Sequence, residues 1–160
     1  MQPRSPNRSA GILLYRRPAD RLEVLLVHPG GPFWARRDEG AWSIPKGEYE
    51  PGEDPLAAAR REFEEELGTA PPAASPHDLG EIRQKGGKVV RAFALPGDLD
   101  AANITSNTFT LQWPPRSGRT IEVPEVDRAA WFTIEEAGKK MNPAQVELIA
   151  RLAAWLKDQA

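Results

Sequence analysis

The sequence contains no cysteine. That absence excludes a disulfide framework, a cysteine nucleophile and thiolate zinc sites, and it fits a reducing compartment. Histidine is nearly absent as well. His28 and His77 stand alone beside prolines, without metal-ligand spacing, so neither is given a role. No apolar run approaches the ~20 residues that cross a bilayer, and no membrane contact is expected. Charge of either sign is not in excess. The formal net charge of −2 gives no reason to expect a general nucleic-acid binder. Met1 to Arg8 lack the apolar core of a signal peptide. The expectation is a cytoplasmic protein with residues 1–8 disordered and one domain over 9–158, since no repeat, low-complexity tract or linker interrupts the chain.

Short apolar runs supply the framework. Ala10–Arg16 and Leu22–His28 are separated by Pro18-Ala19-Asp20. Their length and composition predict two strands in a hairpin, buried on both faces. A glycine- and arginine-containing loop follows, then the short apolar stretch Ala41–Ile44. The next segment is clearly punctuated. Asp54 suits an N-cap, Pro55 the first helical position, and Gly68 a C-terminal cap, with Pro71-Pro72 barring continuation. Strands are predicted at Leu79–Gln84, Lys88–Leu95, Asn107–Trp113 and Arg119–Val123, with a further short one at Trp131-Phe132. A last helix is predicted from Asn142-Pro143, with Val146, Ile149, Leu152, Ala153 and Leu156 as its apolar stripe. Helices packed on a mixed sheet account for this order of elements.

Acidic residues crowd one segment. Glu48, Glu50, Glu53, Glu62, Glu64, Glu65 and Glu66 lie between Gly47 and Gly68, besides Asp54. Like charges at helical spacing destabilise by ~0.2–0.5 kcal/mol per pair, so an offsetting interaction is expected. Glu62, Glu65 and Glu66 stand at i, i+3 and i+4 on one face, while Leu56, Phe63 and Leu67 fall on another that can anchor the helix. Converging carboxylates are the donors that hard divalent cations select, and magnesium completes its shell with water and substrate phosphate. Arg61 beside them can orient a carboxylate, with Glu53 as its candidate partner. A solvated acidic face is the alternative for any isolated glutamate run.

The wider pattern decides between these. From Gly47 the chain reads Gly-Glu-Tyr-Glu-Pro-Gly-Glu-Asp-Pro-Leu-Ala-Ala-Ala-Arg-Arg-Glu-Phe-Glu-Glu-Glu-Leu-Gly-Thr. This resembles the signature of the Nudix hydrolases: Gly, five residues, Glu, seven residues, then Arg-Glu-U-x-Glu-Glu-x-Gly-U, where U is bulky and apolar. Gly47, Glu53, Arg61, Glu62, Phe63, Glu65, Glu66 and Gly68 match; Thr69 departs at the final, structural position. The resemblance implies a Nudix-type α/β/α sandwich, its mixed sheet flanked by the box helix and a C-terminal helix. It implies an enzyme that uses Mg2+, or Mn2+ as a substitute, to cleave a nucleoside diphosphate linked to another moiety. It further implies Glu62, Glu65, Glu66 and the Gly47 carbonyl as metal ligands, and Glu62 or Glu65 as general base.

Substrate features are less specific. Lys46 enters the box in Pro45-Lys46-Gly47, a form that resembles members acting on diadenosine polyphosphates; it is either a phosphate contact or a solvated loop lysine. The turn Lys85-Gly86-Gly87-Lys88 with Arg91, and Arg116-Ser117-Gly118-Arg119, are basic loops that suit phosphate or simply solubility. Phe33, Trp34 and Trp113 are candidates for stacking a base. Glu122 and Glu125 are the nearest acids for a ligand outside the box, with surface carboxylate as the preferred reading of each. A nucleotide-sensing domain without turnover would tolerate loss of the metal glutamates, all of which are present. A protein-docking acidic helix and an isomerase are the other rivals, and the missing cysteine speaks against the isopentenyl diphosphate type of the latter. A small nucleotide is the expected partner. The sequence does not define the oligomeric state.

Overall fold

The computed structural model describes residues 7–159. Of the expected disordered tail, residues 1–6 lie outside that range, and Arg8 is the first residue of a strand. The first half of the chain forms β1 (Arg8–Arg16), β2 (Glu23–Pro29), β3 (Lys46–Glu48) and α1 (Pro55–Leu67). The second half forms β4 (His77–Arg83), β5 (Val89–Pro96), β6 (Thr108–Gln112), β7 (Thr120–Pro124), β8 (Val126–Thr133), α2 (Ile134–Lys140) and α3 (Val146–Asp158).

The main sheet runs β4-β5-β1-β2-β8. Its central strand β1 lies parallel to β5, with Ile12 opposite Phe93, and antiparallel to β2, with Tyr15 opposite Val24. β3 takes the other half of the β2-side edge of β1, placing Lys46 opposite Gly11 and Gly47 opposite Ala10. This shared edge brings the start of the acidic segment onto the centre of the sheet. β6 and β7 form a separate hairpin.

The unbroken apolar runs of β1 and β2 follow from burial on both sides. Ile12, Leu14, Leu25 and Val27 face α1, where they meet Ala58, Ala59, Phe63 and Leu67. Leu13, Val24 and Leu26 face the opposite way, toward Leu148, Leu152 and Leu156 of α3. The product is the expected α/β/α sandwich, with α1 on one face and α2 and α3 on the other. No helix among the described residues is long and apolar enough to cross a membrane.

Three local features differ from the sequence expectation. Asn142 does cap, accepting from the Ala144 N–H at 3.0 Å, but the turn it opens is a 3-10 turn over Pro143–Gln145, and α3 starts only at Val146. Its buried stripe runs through Leu148 rather than Ala153. α2 was not anticipated, although Thr133 and Glu136 form a capping box at its start. β3 also escapes notice, because Lys-Gly-Glu has no strand propensity and is held by β1.

Candidate active site

The acidic helix is fixed at both ends. The Asp54 carboxylate accepts from the Ala57 N–H at 3.0 Å, and Pro55 occupies the first helical position. At the other end Gly68 adopts φ +80. A Cβ there would sit 2.7 Å from the Thr105 carbonyl oxygen, so glycine is required on two counts. The segment after β5 then satisfies last-turn carbonyls: Thr105 N–H donates to Leu67 at 3.2 Å and Asn107 N–H to Glu65 at 2.8 Å. Glu125, just before β8, donates its N–H to the Asn107 carbonyl at 2.9 Å. A carboxylate distant in sequence is thereby tied to the last turn of α1.

Between these anchors the glutamates differ sharply. Glu66 is 7% exposed, and its Oε2 accepts from the Lys46 N–H at 3.2 Å. The Glu62 side chain is 17% exposed and lies directly against Gly47, where a Cβ would come within 2.0 Å of its carboxylate carbon. The Glu65 side chain, 43% exposed, faces outward. Arg61 connects them. It donates to the Glu53 carboxylate and lies 3.4 Å from Glu62 Oε1 and 3.9 Å from Glu65 Oε1. It also reaches the Glu48 carbonyl oxygen at 3.4 Å.

Burial and mutual repulsion set the electrostatics. Desolvation, with Glu62 next to it, pushes Glu66 up to about 8, against the relief given by the Lys46 charge. Glu62 is raised by burial and then by Glu65, with Arg61 opposing. Glu125 is raised by partial burial and then by Glu65. Lys46 moves the other way: burial lowers it, and the Glu66 carboxylate partly restores it. These residues form one electrostatic unit with more carboxylate than positive charge in its interior.

That excess bears on whether the donor set suits a divalent cation. Among the described residues no three acidic or histidine side chains close on a common point at metal-ligand range. The donor chemistry nonetheless fits a hard cation. It is all oxygen, a buried carboxylate stands beside a second, and the glycine at 47 leaves its backbone open next to Glu62. The Gly47 carbonyl belongs to the same strand end.

The remaining sequence candidates divide. Lys46 is half-buried, and the charges of Glu66, Glu48 and Glu62 act on it. Lys88 is exposed but close enough to lower Lys46, so the two cations share one region. Arg91 is occupied by Asp78 of β4, while its Nε is buried without a partner. Arg116 and Arg119 lie exposed in the β6–β7 turn, and Trp113 is half-buried at its base. Phe33 is exposed and meets Trp34 edge-on. Glu122 is spent on Thr108, at 3.2 Å, and Thr110. His77 stacks on Trp155, and His28 is wholly buried between Asp127 and the Arg37 carbonyl. Glu125 is exposed, in keeping with the surface carboxylate preferred from sequence, although its backbone is tied to the last turn of α1 through Asn107.

An α/β/α sandwich that presents this loop–helix against β1 defines the Nudix class of fold. A family model of the NUDIX domain matches residues 5–152, and the chain belongs to that family. Among curated relatives, it is similar to the RNA pyrophosphohydrolase of Rhodospirillum rubrum, 43% identical over 72 residues, covering 43% of this chain and 41% of that protein. It is also similar to the asymmetrical bis(5'-nucleosyl)-tetraphosphatase of Caenorhabditis elegans, 39% identical over 59 residues, covering 37% of this chain and 38% of that one. The matched segments thus span about two fifths of each relative. The crystal structure of a C. elegans Ap4A hydrolase binary complex superposes with a TM-score of 0.66 at 25% identity, covering 95% of this chain and 98% of that chain.

Proposed function

We propose that the chain is a Mg2+-dependent pyrophosphohydrolase that cleaves a phosphoanhydride bond in a dinucleoside polyphosphate or nucleoside triphosphate. The observation that carries the reading is the seating of Glu62 and Glu66 against Lys46-Gly47, with Arg61 spanning Glu53, Glu62 and Glu65. Likeness to an RNA pyrophosphohydrolase and to an asymmetrical bis(5'-nucleosyl)-tetraphosphatase supports the reaction class. A purely structural helix has no need to bury a carboxylate beside another; the cost of doing so is met by holding a proton or by a cation that joins them.

In this reading Glu62, Glu65, Glu66 and the Gly47 carbonyl hold the ion. When bound, it would neutralise phosphate charge and lower the pKa of an attacking water. The chain's own groups do the rest. Glu62 or Glu65 accepts the proton from water, and Arg61 fixes the direction of the carboxylates. Lys46 and Lys88 meet the phosphate chain as point charges, with Arg91 behind them. Glu125 adds an acid from outside the box. A cytoplasmic location goes with this reading.

The test is a hydrolysis screen with magnesium against nucleoside triphosphates, dinucleoside polyphosphates, nucleotide sugars and ADP-ribose, with products identified. The Rhodospirillum relative, an RNA pyrophosphohydrolase, adds RNA to the panel, against the sequence expectation that nucleic acid is no partner. Turnover that stops reversibly on chelation, and that Glu66→Gln abolishes, is the expected result. Activity that persists in excess chelator refutes the reading. Metal-independent nucleotide binding without any turnover would instead favour the sensing domain.

A further inference from the structure

On the face of the sheet opposite α1, a cavity of about 500 Å³ opens between the 35–38 loop, the outer strand β8 and the end of α2. Arg36, Arg37, Arg128 and Lys140 border it, with Asp38 as the one carboxylate. This concentration of positive charge stands out in a chain of net charge −2. It also belongs to none of the machinery assigned above.

The charge is only partly neutralised locally. Asp38 is already taken by Lys140 and by Trp42 Nε1–H at 2.8 Å, and those bonds hold its carboxyl below the usual range. Among the described residues Arg128 has only Asp127 as an ion-pair partner, at 3.8 Å, and Asp127 is itself bonded to His28 Nδ1 at 2.8 Å. The Arg37 guanidinium lies over the Phe33 ring at 4.2 Å. The Arg128 guanidinium lies over Trp42 at 5.2 Å. Arg36 is exposed and has no carboxylate partner among the described residues.

The carriers of these charges are also fixed in place. His28 is fully buried, and its Nε2 lies 2.5 Å from the Arg37 carbonyl oxygen while Nδ1 meets Asp127. One imidazole therefore ties the loop to β8. The same loop is tied to α2, since Gly40 N–H donates to Lys139 at 3.1 Å and Trp42 N–H to Lys140 at 2.9 Å. Guanidinium groups held by aromatic faces over a rigid backbone are prepared to bind an oxyanion with little loss of side-chain freedom.

We propose that this cavity binds the phosphate chain of a polyphosphate, without a divalent metal, at a site separate from the box. The shared chemistry is a run of two or three phosphates, free or carried by a nucleoside. Trp42 is only 4% exposed, so it backs the arginines rather than offering a face to a base. Binding therefore depends on the phosphates and not on the base.

Calorimetric titration of the full chain in excess chelator at physiological salt tests this. Tripolyphosphate and ATP should each bind at one saturable site, and adenosine should not. Tripolyphosphate bound well while ATP is refused would identify the free anion as the ligand; both bound alike admits either source. Arg36→Glu should weaken binding roughly tenfold or more, the scale of one charge-assisted contact. Because that side chain bonds to nothing among the described residues, a loss is not expected from misfolding, and a thermal melt verifies it. Arg128→Ala should act in the same direction. The double variant Lys46→Gly with Lys88→Ala should leave this binding unchanged. Absence of a saturable site, or affinity lost in the lysine double variant but kept in Arg36→Glu, overturns the proposal. Since no arm involves hydrolysis, failure here is distinct from failure of the proposed activity.

Discussion

Replacing Glu66 with glutamine should stabilise the metal-free protein at alkaline pH while removing its activity. The folded state retains the Glu66 proton up to about pH 8, whereas the unfolded chain releases it near 4.5. Between those values the folded state binds more protons, so stability falls as pH rises. The contribution is complete below the unfolded value and lost once pH passes the folded one. A rise of that size corresponds to on the order of 5 kcal/mol for a group this buried. Glu62, raised in the same direction, adds to the slope. Lys46, lowered by burial, acts oppositely and favours the folded state toward alkaline pH. Glutamine keeps the shape and the acceptor for the Lys46 N–H without the charge. Urea unfolding in chelator, followed by tryptophan fluorescence, should show wild type weakening from about pH 5 to about pH 8.5 and the variant nearly flat. Near pH 8.5 the variant should melt on the order of 10 °C higher, at ~2–4 °C per kcal/mol in a chain of this size. Magnesium should restore wild type at that pH and leave Glu66→Gln much less affected, because a cation that binds only the folded state stabilises it by mass action. A metal-free wild type whose stability is level or rises across this window, with the variant less stable at pH 8.5, would refute the picture of a buried, under-neutralised carboxylate.

Other substitutions probe the surroundings. Gly47→Ala places a Cβ 2.0 Å from the Glu62 carboxylate carbon, so Glu62 must move; the fold should lose ~1–3 kcal/mol and metal titrations of turnover should shift to higher concentration. Lys46→Gly removes a point charge, and kcat/KM should fall more on long phosphate chains than on short ones; an equal loss on both counts against its role. Gly68→Ala, with φ +80 and the Thr105 carbonyl at 2.7 Å, should cost ~1–3 kcal/mol in urea unfolding without changing metal dependence.

Local chemistry made much of the fold legible. The Asp54-Pro55 start and Gly68 stop of α1 depend on neighbours in sequence, and the structure realises each with a side-chain or backbone bond. The doubly buried β1 and β2 follow from unbroken apolar runs, which only a layer between two others can hide. The elements that were not legible depend on distant partners. β3 is a strand because β1 offers it an edge, and the first turn after Asn142 tightens to 3-10 because Gln145 is drawn inward. Its side-chain oxygen accepts the Ile44 N–H at 3.0 Å, and its amide donates to Ser43 and Gln84 at 2.9 Å each.

The site shows the same division. Spacing put Glu62, Glu65 and Glu66 on one helical face, but it made them equivalent, and the structure does not. The difference arises from β3, which lies across the face unevenly, covering Glu66 and pressing on Glu62 while leaving Glu65 in water. Lys46 opens that strand and is half-buried in it, so the residue that reads as a free phosphate contact also supplies part of the charge that Glu66 needs. Glu125 reaches the cluster through two backbone bonds, Glu125 to Asn107 and Asn107 to Glu65, neither of which leaves a mark in residue type. Uneven burial has a chemical consequence that periodicity cannot express. Without a cation Glu62 and Glu66 both hold their protons more strongly than an ordinary glutamate, because burial and their neighbouring carboxylates disfavour the charged form. A divalent ion must therefore displace the proton on Glu66, which ties its affinity to pH.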